Sequence, residues 1–361
     1  MKIAIRADSS VFLGAGHVMR CLTLADMLKK SGAEVCFICR EIFGNLIGYI
    51  ESLGYEVFVL PGINEMDVGS LGELVQALKD DEKKDLAATR TFFEHSAVLD
   101  WLVVDHYALG EDWESGARTF SKKIFVIDDL ADRKHDCDIL LNQNPNAWNK
   151  PIYDRLVPCH CNKLLGTSYV LLRQEFRNMR FSKRTREGAL SRILVFYGGS
   201  DTSNETEKAL NALQGLRDDQ LHIDVVVGQA NPHKSMIEHM CNAMPGAAFH
   251  CQIDYMAELM NKADLAIGAG GSTTWERCYL GLPALVTILA ENQRKGIEEL
   301  ESEQAFINLG WYQDVSDKHI FEQLNRLRSN PETLRSMSRR SLELMDAGKL
   351  FSEKQWVEMF V

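Results

Sequence analysis

Short runs of Val, Ile and Leu alternate along this chain with longer amphipathic segments, and that alternation restricts the possible folds more than any other feature. A short β-branched run forms a strand, and the amphipathic stretch after it forms the helix that carries the chain back to start the next parallel strand. In the first half the runs Lys2–Arg6, Glu34–Cys39, Glu56–Leu60, Trp101–Val104 and Lys123–Ile127 are predicted strands. Between them Gly16–Lys30, Leu46–Leu53, Leu71–Phe93 and Asp112–Phe120 have helical spacing.

From about Asn142 to Lys163 the rhythm lapses into Asn, Pro and Cys, and a basic stretch follows at Arg177–Glu187. That interval is expected to cross between domains. The βα pattern then restarts with strands at Arg192–Phe196, Leu221–Val227, Ala247–His250, Ala263–Ile267 and Ala284–Ile288. The expected fold is α/β, with two Rossmann-like domains of parallel sheet facing across a cleft. The boundaries follow as 1–170 for the first domain, 171–190 for the linker, 191–345 for the second domain and 346–361 for a terminal helix that folds back.

The chain has 361 residues, enough for two domains, and 45% apolar with 25% charged residues is ordinary globular composition. With 40 basic against 51 acidic side chains the net charge is −11, which repels phosphate backbones and anionic lipid. Nucleic-acid and membrane-surface binding are disfavoured, and a monomer is expected. The nine cysteines are an odd, scattered number, and the opening MKIAIRADSS lacks the basic-then-apolar pattern of a secretory leader. A reducing, cytoplasmic setting is expected. No apolar stretch is long enough to span a bilayer.

The first βα turn contains Gly14-Ala15-Gly16-His17, in which two glycines let backbone approach a ligand and the helix start offers free amides. The acidic residue that a dinucleotide site places at the end of the second strand is replaced by Cys39-Arg40, so NAD binding is disfavoured. What the turn adds is His17, an imidazole at the positive end of a helix and a candidate base. The second half has two more glycine turns, Gly198-Gly199-Ser200-Asp201 and Gly268-Ala269-Gly270-Gly271-Ser272-Thr273. Amides and hydroxyls converging there suit a diphosphate, and Glu276, one helical turn past Ser272 and Thr273, is placed to accept both hydroxyls of a ribose.

Other polar clusters end predicted strands: Asp105-His106-Tyr107, Asp128-Asp129 and Glu291-Asn292-Gln293. Helix capping is the expected role of Asp128 and Asp129. Cys36 and Cys39 have CxxC spacing but lie in one strand on opposite faces, which makes them core residues. Cys159-His160-Cys161 lacks a second cluster at zinc spacing, so no metal is expected.

Through Ile5-Arg6-Ala7-Asp8-Ser9-Ser10, Gly14 to Ala25, Val104-Asp105-His106-Tyr107, Ile127 to Arg133, Gly166 to Phe176 and Gly268 to Arg277, the sequence resembles the UDP-sugar hydrolases of pseudaminic acid biosynthesis. Those enzymes act on UDP-2,4-diacetamido-2,4,6-trideoxy-β-L-altropyranose, and their wider group includes the lipid II-forming N-acetylglucosaminyltransferase. The resemblance implies a glycosyltransferase-B-like fold used for metal-free, cofactor-free, inverting hydrolysis at the anomeric carbon, in a pathway leading to flagellin glycosylation. It implies that His17 is the base, that Tyr107 and Asn292 line the sugar or water site, that Arg173 contacts substrate and that Glu276 holds the ribose. Gly14, Gly16, Gly199, Ser200, Gly270, Gly271, Ser272 and Thr273 would complete the binding set. Competing readings are a glycosyltransferase of the same fold, a UDP-sugar epimerase and a non-catalytic sugar-nucleotide sensor.

Overall fold

Two all-parallel sheets organise the computed structural model, which describes residues 1–63, 68–95, 97–144, 151–182, 184–345 and 350–361. The chain divides into two compact units, one comprising Met1–Leu171 with Leu350–Val361 and the other Leu172–Lys349.

The first unit runs β1 (Lys2–Ala7), α1 (Gly16–Lys30), β2 (Glu34–Arg40), α2 (Ile47–Ser52), β3 (Glu56–Leu60), α3 (Leu71–Asp80), α4 (Glu82–Thr91), β4 (Leu99–Asp105), α5 (Glu111–Ala117), β5 (Ser121–Ile127), β6 (Ile139–Asn142) and β7 (Asn162–Leu165). Its strands lie in the order β3-β2-β1-β4-β5-β6-β7. Both faces of such a sheet are covered, so its strands are apolar on both sides. Ile3, Ile5 and Val103 enter one core cluster, while Ala4, Leu102 and Val104 enter the other. Cys39 packs in the first and Cys36 against the second, as their spacing requires.

The second unit runs α6 (Gln174–Asn178), β8 (Arg192–Phe196), α7 (Glu205–Gly215), β9 (His222–Val227), α8 (Lys234–Ala243), β10 (Ala247–Cys251), α9 (Met256–Lys262), β11 (Leu265–Ala269), α10 (Thr273–Tyr279), β12 (Ala284–Ile288), α11 (Glu291–Glu301), β13 (Ile307–Trp311), α12 (Asp317–Arg328) and α13 (Pro331–Met345). Its sheet order is β10-β9-β8-β11-β12-β13. The chain then ends on α14 (Glu353–Glu358), whose Trp356 is buried with Phe360 in the core of the first unit. The Trp101 indole N–H donates to the Phe360 carbonyl at 2.8 Å. No helix among the described residues is long and apolar enough to cross a membrane.

Several expectations are corrected. Of the interval from Asn142 to Lys163, 145–150 lie outside the described residues, while β6 and β7 pair from Ile139↔Asn162 to Asn142↔Leu165 and complete the first sheet. Four-residue strands containing Asn and Lys give too short an apolar run to be recognised. Residues 171–190, expected to link the domains, lie in the second unit from Leu172 onward. Arg186 is buried there, donating to the carbonyls of Ala263 at 2.9 Å, Leu280 at 2.5 Å and Met260 at 2.7 Å. The single helix expected over Leu71–Phe93 is two, broken at Asp81. In the tail, 346–349 lie outside the described residues, and α14 is a surface helix that buries the one side chain Trp356 while Lys354, Gln355 and Glu358 stay exposed.

Candidate functional site

In the first sheet the strand order reverses between β1 and β4, where Ala7 lies opposite Asp105. Ligands of open α/β sheets bind beyond the carboxyl ends of the strands at such a reversal. Gly14 follows β1 in the left-handed region, at φ +73°, and its N–H donates to the Ser10 carbonyl at 2.9 Å. That turn delivers Gly16 as the first and His17 as the second residue of α1.

His17 is 5% exposed, and its Nδ1 hydrogen-bonds the Asp105 carboxylate at the end of β4. The Tyr107 ring meets the imidazole edge-on, with centroids 4.3 Å apart. Arg20, one helical turn after His17, grips the same carboxylate through Nε at 2.6 Å and Nη2 at 2.7 Å. Its Nη1 donates to Asp129 at 2.7 Å. Burial pushes the Asp105 carboxyl up, but the Arg20 guanidinium and His17 outweigh it and hold the group well below the usual carboxylate range. An ionised Asp105 accepts the Nδ1 proton, so the lone pair of a neutral His17 sits on Nε2.

A second buried cluster fixes the strand ends. Asp8 accepts from Arg6 Nη2 at 2.8 Å, from the Arg40 amide at 2.7 Å and from His106 Nε2 at 3.0 Å. Because His106 Nδ1 accepts the Ala108 N–H at 3.0 Å, its proton resides on Nε2, facing Asp8. Burial, opposed by Asp8, keeps the His106 imidazole below its ordinary pKa. Arg6 also binds Asp85 at 2.8 Å. Asp105 and Tyr107 therefore flank a residue anchored to the end of β1.

In the second sheet the reversal falls between β8 and β11, and the two predicted glycine turns lie there. Gly198 has φ +98°. Its neighbour Gly199 touches the next turn backbone to backbone, since a Cβ on Gly228 would fall 2.3 Å from the Gly199 carbonyl oxygen. Ser200 is half-buried, and Asp201 caps α7, accepting from the Glu205 and Thr206 amides at 3.0 Å each. After β11, Gly270 packs so closely on Ile297 that a Cβ would approach it to 2.5 Å. Gly271 and Thr273 are half-buried and Ser272 is exposed at the start of α10, its hydroxyl making no cap bond. Arg277 is buried behind this turn, donating through Nη2 to the Ala269 carbonyl at 2.8 Å and Thr274 Oγ1 at 3.0 Å. It forms no salt bridge among the described residues, and burial lowers its pKa to about 10.

Glu276 and Arg173 meet. Arg173 donates through Nε at 2.8 Å and Nη2 at 3.1 Å to the two oxygens of Glu276. Its Nη1 reaches Glu175 at 2.7 Å, and the guanidinium lies 4.9 Å from the Phe176 ring centre. Glu175 in turn accepts the Ala257 N–H at 2.9 Å. Asn292 is the second residue of α11, just past β12, beside Gln293, whose Oε1 accepts the Leu289 N–H at 3.1 Å.

The structure thus gathers Gly14, Gly16, His17 and Tyr107 at one sheet reversal, and Gly199, Ser200 and Gly270–Thr273 at the other. Sequence reasoning missed Asp105, Arg20 and Arg277 as participants. The available signal for Arg20 was its i+3 spacing from His17. Helix capping by Asp128 and Asp129 is corrected, because no helix follows β5 before β6. Asp129 binds Arg20, while Asp128 accepts from the Ala131 amide, Arg133 and Tyr153. Among the described residues no group of three or more His, Cys, Asp or Glu side chains is arranged to hold a metal ion. Cys159 is exposed, and Cys161 is buried with its Sγ 3.5 Å from that of Cys137.

Residues 193–353 match the glycosyltransferase family 28 C-terminal domain. An uncharacterized protein of Methanocaldococcus jannaschii is 28% identical over 306 residues, covering 82% of this chain, which spans 57% of that relative's length. The UDP-2,4-diacetamido-2,4,6-trideoxy-β-L-altropyranose hydrolase of Campylobacter jejuni is 27% identical over 281 residues, 78% of this chain and 89% of the relative. Among solved structures, Arabidopsis thaliana UGT89C1 complexed with UDP-L-rhamnose superposes with a TM-score of 0.66 at 13% identity, covering 99% of this chain and 98% of the other. The chain has the two-domain, Rossmann-like glycosyltransferase-B fold, and its second unit is similar to the glycosyltransferase family 28 C-terminal domain.

Proposed function

We propose that this protein hydrolyses a UDP-linked sugar at the anomeric carbon, with inversion, and that its substrate is UDP-2,4-diacetamido-2,4,6-trideoxy-β-L-altropyranose. The observation that carries the reading is the hydrogen bond that Nδ1 of His17 donates to the Asp105 carboxylate. It fixes the tautomer whose Nε2 takes a proton from water, as a buried carboxylate orients a catalytic imidazole. Attack of that water builds positive charge on the sugar and negative charge on the departing UDP. The amides and hydroxyls of the 198–200 and 270–273 turns, with the buried Arg277 cation behind the second, are arranged to favour that negative charge. Tyr107 packs against the imidazole and borders the water or sugar, Asn292 is read as a further sugar or water contact, and Glu276 receives the ribose hydroxyls. The name of the Campylobacter relative supports the choice of sugar.

Transfer to an acceptor other than water is the second reading, favoured by the match of residues 193–353 to a glycosyltransferase domain. An anomer-resolving proton NMR time course with the UDP-linked altrose derivative and no acceptor separates the two. Stoichiometric UDP and free sugar of inverted initial anomer, unchanged by EDTA, is the expected result. Tight UDP binding without sugar release overturns hydrolysis in favour of transfer or of a non-catalytic sugar-nucleotide sensor.

A further inference from the structure

Cys137 and Cys161 meet where the β6–β7 pairing begins, their sulfurs 3.5 Å apart in the core cluster that also holds Leu140 and Val104. The backbone sets this approach. The Asn162 N–H donates to the Asp138 carbonyl at 2.9 Å, and the Asp138 N–H donates to the Ile124 carbonyl at 2.9 Å. Each cysteine is the chain neighbour of one member of the Asp138–Asn162 bond, so the strand ladder, not the weak contact between the sulfurs, holds them together. Both are free thiols. A disulfide keeps its sulfurs about 2.0 Å apart, so closing the pair takes an approach of about 1.5 Å, within reach of side-chain rotation. The two thiols also differ. The hydrogen bond from Cys137 outweighs burial and lowers the Cys161 thiol below its ordinary pKa, while that same bond and burial push Cys137 up. Cys161 is the one that solvent reaches, at 8% exposure against 0% for Cys137. A reachable sulfur that ionises readily, beside a buried one that stays protonated, is the arrangement of an attacking and a resolving cysteine.

We propose that Cys137 and Cys161 form an oxidation site, converted by a small peroxide into a disulfide that ties β6 to β7 with neither strand displaced. In the first step the Cys161 thiolate attacks one oxygen of hydrogen peroxide; an S–O bond forms, the O–O bond breaks, and the hydroxide released takes up the proton that Cys161 gave up, leaving as water. In the second the Cys137 sulfur attacks the sulfenic sulfur; the S–S bond forms, the S–O bond breaks, and the hydroxyl leaves as a second water with the Cys137 proton. The two thiols lose two electrons and one peroxide takes them. Both cysteines precede their strands, at the amino edge of the sheet, whereas His17 follows β1 at the carboxyl edge. The cross-link therefore acts on stability and stands apart from the catalytic end of the unit.

Treatment of the full chain with hydrogen peroxide, alkylation of the remaining thiols and peptide mapping by mass spectrometry without reduction read the bond directly. The expected product is a peptide pair joining Cys137 to Cys161, two hydrogens lighter than its separate parts and parted again by dithiothreitol. Cys159 is exposed and competes for peroxide, so the mapping is repeated in Cys159→Ser, where the same pair should form. A cross-link between residues 24 apart restricts the unfolded chain, and because the sulfurs already touch, the folded state gives up little in return. Oxidation of the Cys159→Ser chain is expected to raise the melting temperature by about 5–10 °C, reversibly on reduction. Cys161→Ala should show neither the cross-link nor the rise.

Full alkylation of Cys137 and Cys161 after a peroxide treatment that oxidises Cys159 overturns the proposal. A wild-type chain that joins Cys159 to either of them instead overturns it too, since exposure and not the contact would then choose the partner. A Cys137–Cys161 bond that lowers the melting temperature overturns closure in place, because the strands would have to move to make it. The mapping of the wild type decides the first two outcomes whether or not Cys161→Ala folds.

Discussion

His17 can act as a base only while its proton is confined to Nδ1, and Asp105 confines it. Arg20 gives the carboxylate its charge and its angle, while Tyr107 closes off one edge of the ring. His17→Asn should therefore keep UDP affinity and lose roughly 10²- to 10⁴-fold in turnover. Asp105→Asn should also lose about 10²-fold or more in turnover, since the carboxamide admits the wrong tautomer. A stopped assay of UDP release beside calorimetric UDP binding checks both. Wild-type turnover in either variant would remove the general-base assignment. The sequence exposed His17 because a titratable residue beside a glycine turn stands out. Asp105 stood in a strand-end cluster and Arg20 three residues past His17, but their link was hidden, since what brings Asp105 to α1 is the side-by-side register of β1 and β4, residues 7 and 105, which no local pattern encodes.

At the scale of elements, the glycine turns of the second unit are built by close approach of backbone rather than by side chains. The β8–α7 and β9–α8 turns touch through Gly199 and Gly228. Gly228→Ala would place a methyl group 2.3 Å from a carbonyl oxygen, and the turn must move to relieve it. Overpacking of this kind costs about 1–3 kcal/mol, so the variant should melt lower and bind UDP more weakly, with sugar chemistry otherwise unaltered. An unchanged melting temperature and UDP affinity would show that the contact yields freely. Glycines beside predicted strands were visible as turns from sequence alone, but not that Gly228 braces Gly199 across two turns. Similarly, the long apolar strands were legible while β6, β7 and the break at Asp81 were not, because short edge elements and paired helices owe their limits to tertiary packing.

On the scale of the molecule, the most deeply buried carboxylates of the two units shift in opposite directions, the half-buried Glu82 of the first unit, raised by burial, standing apart. In the first, Asp8, Asp85, Asp105 and Asp128 are buried, which alone would push them up, yet neighbouring cations hold all four below the ordinary carboxylate pKa. Burial keeps His106 below its ordinary value as well. For every one of these groups the folded state binds fewer protons than the unfolded chain just below the ordinary pKa. Their stabilisation is thus present at neutral pH and is lost on acidification, from about pH 6.5 for His106 and from about pH 4 for the carboxylates. In the second unit, burial raises Glu175, Asp201 and Glu205, whose folded forms take up protons first and gain stability as pH falls. Hydrogen exchange resolved by peptide, at pH 7 and pH 4, should show protection lost chiefly in Met1–Leu171 and better kept in Leu172–Lys349. Equal loss in both, or the reverse order, would contradict this account of the charges. The net charge of −11 gave no hint of the division, because pairing, not composition, decides it.

The return of residues 350–361 to the first unit also constrains how the chain folds. Trp356 and Phe360 lie in the core cluster that contains Phe125 and Trp101, so the core of the first unit closes only when a segment that lies beyond the whole of the second unit in sequence reaches it. The second unit is continuous in sequence and needs no such closure. Damage at Trp356 is therefore felt not by its neighbours in sequence but by strands that precede the whole of the second unit in the chain.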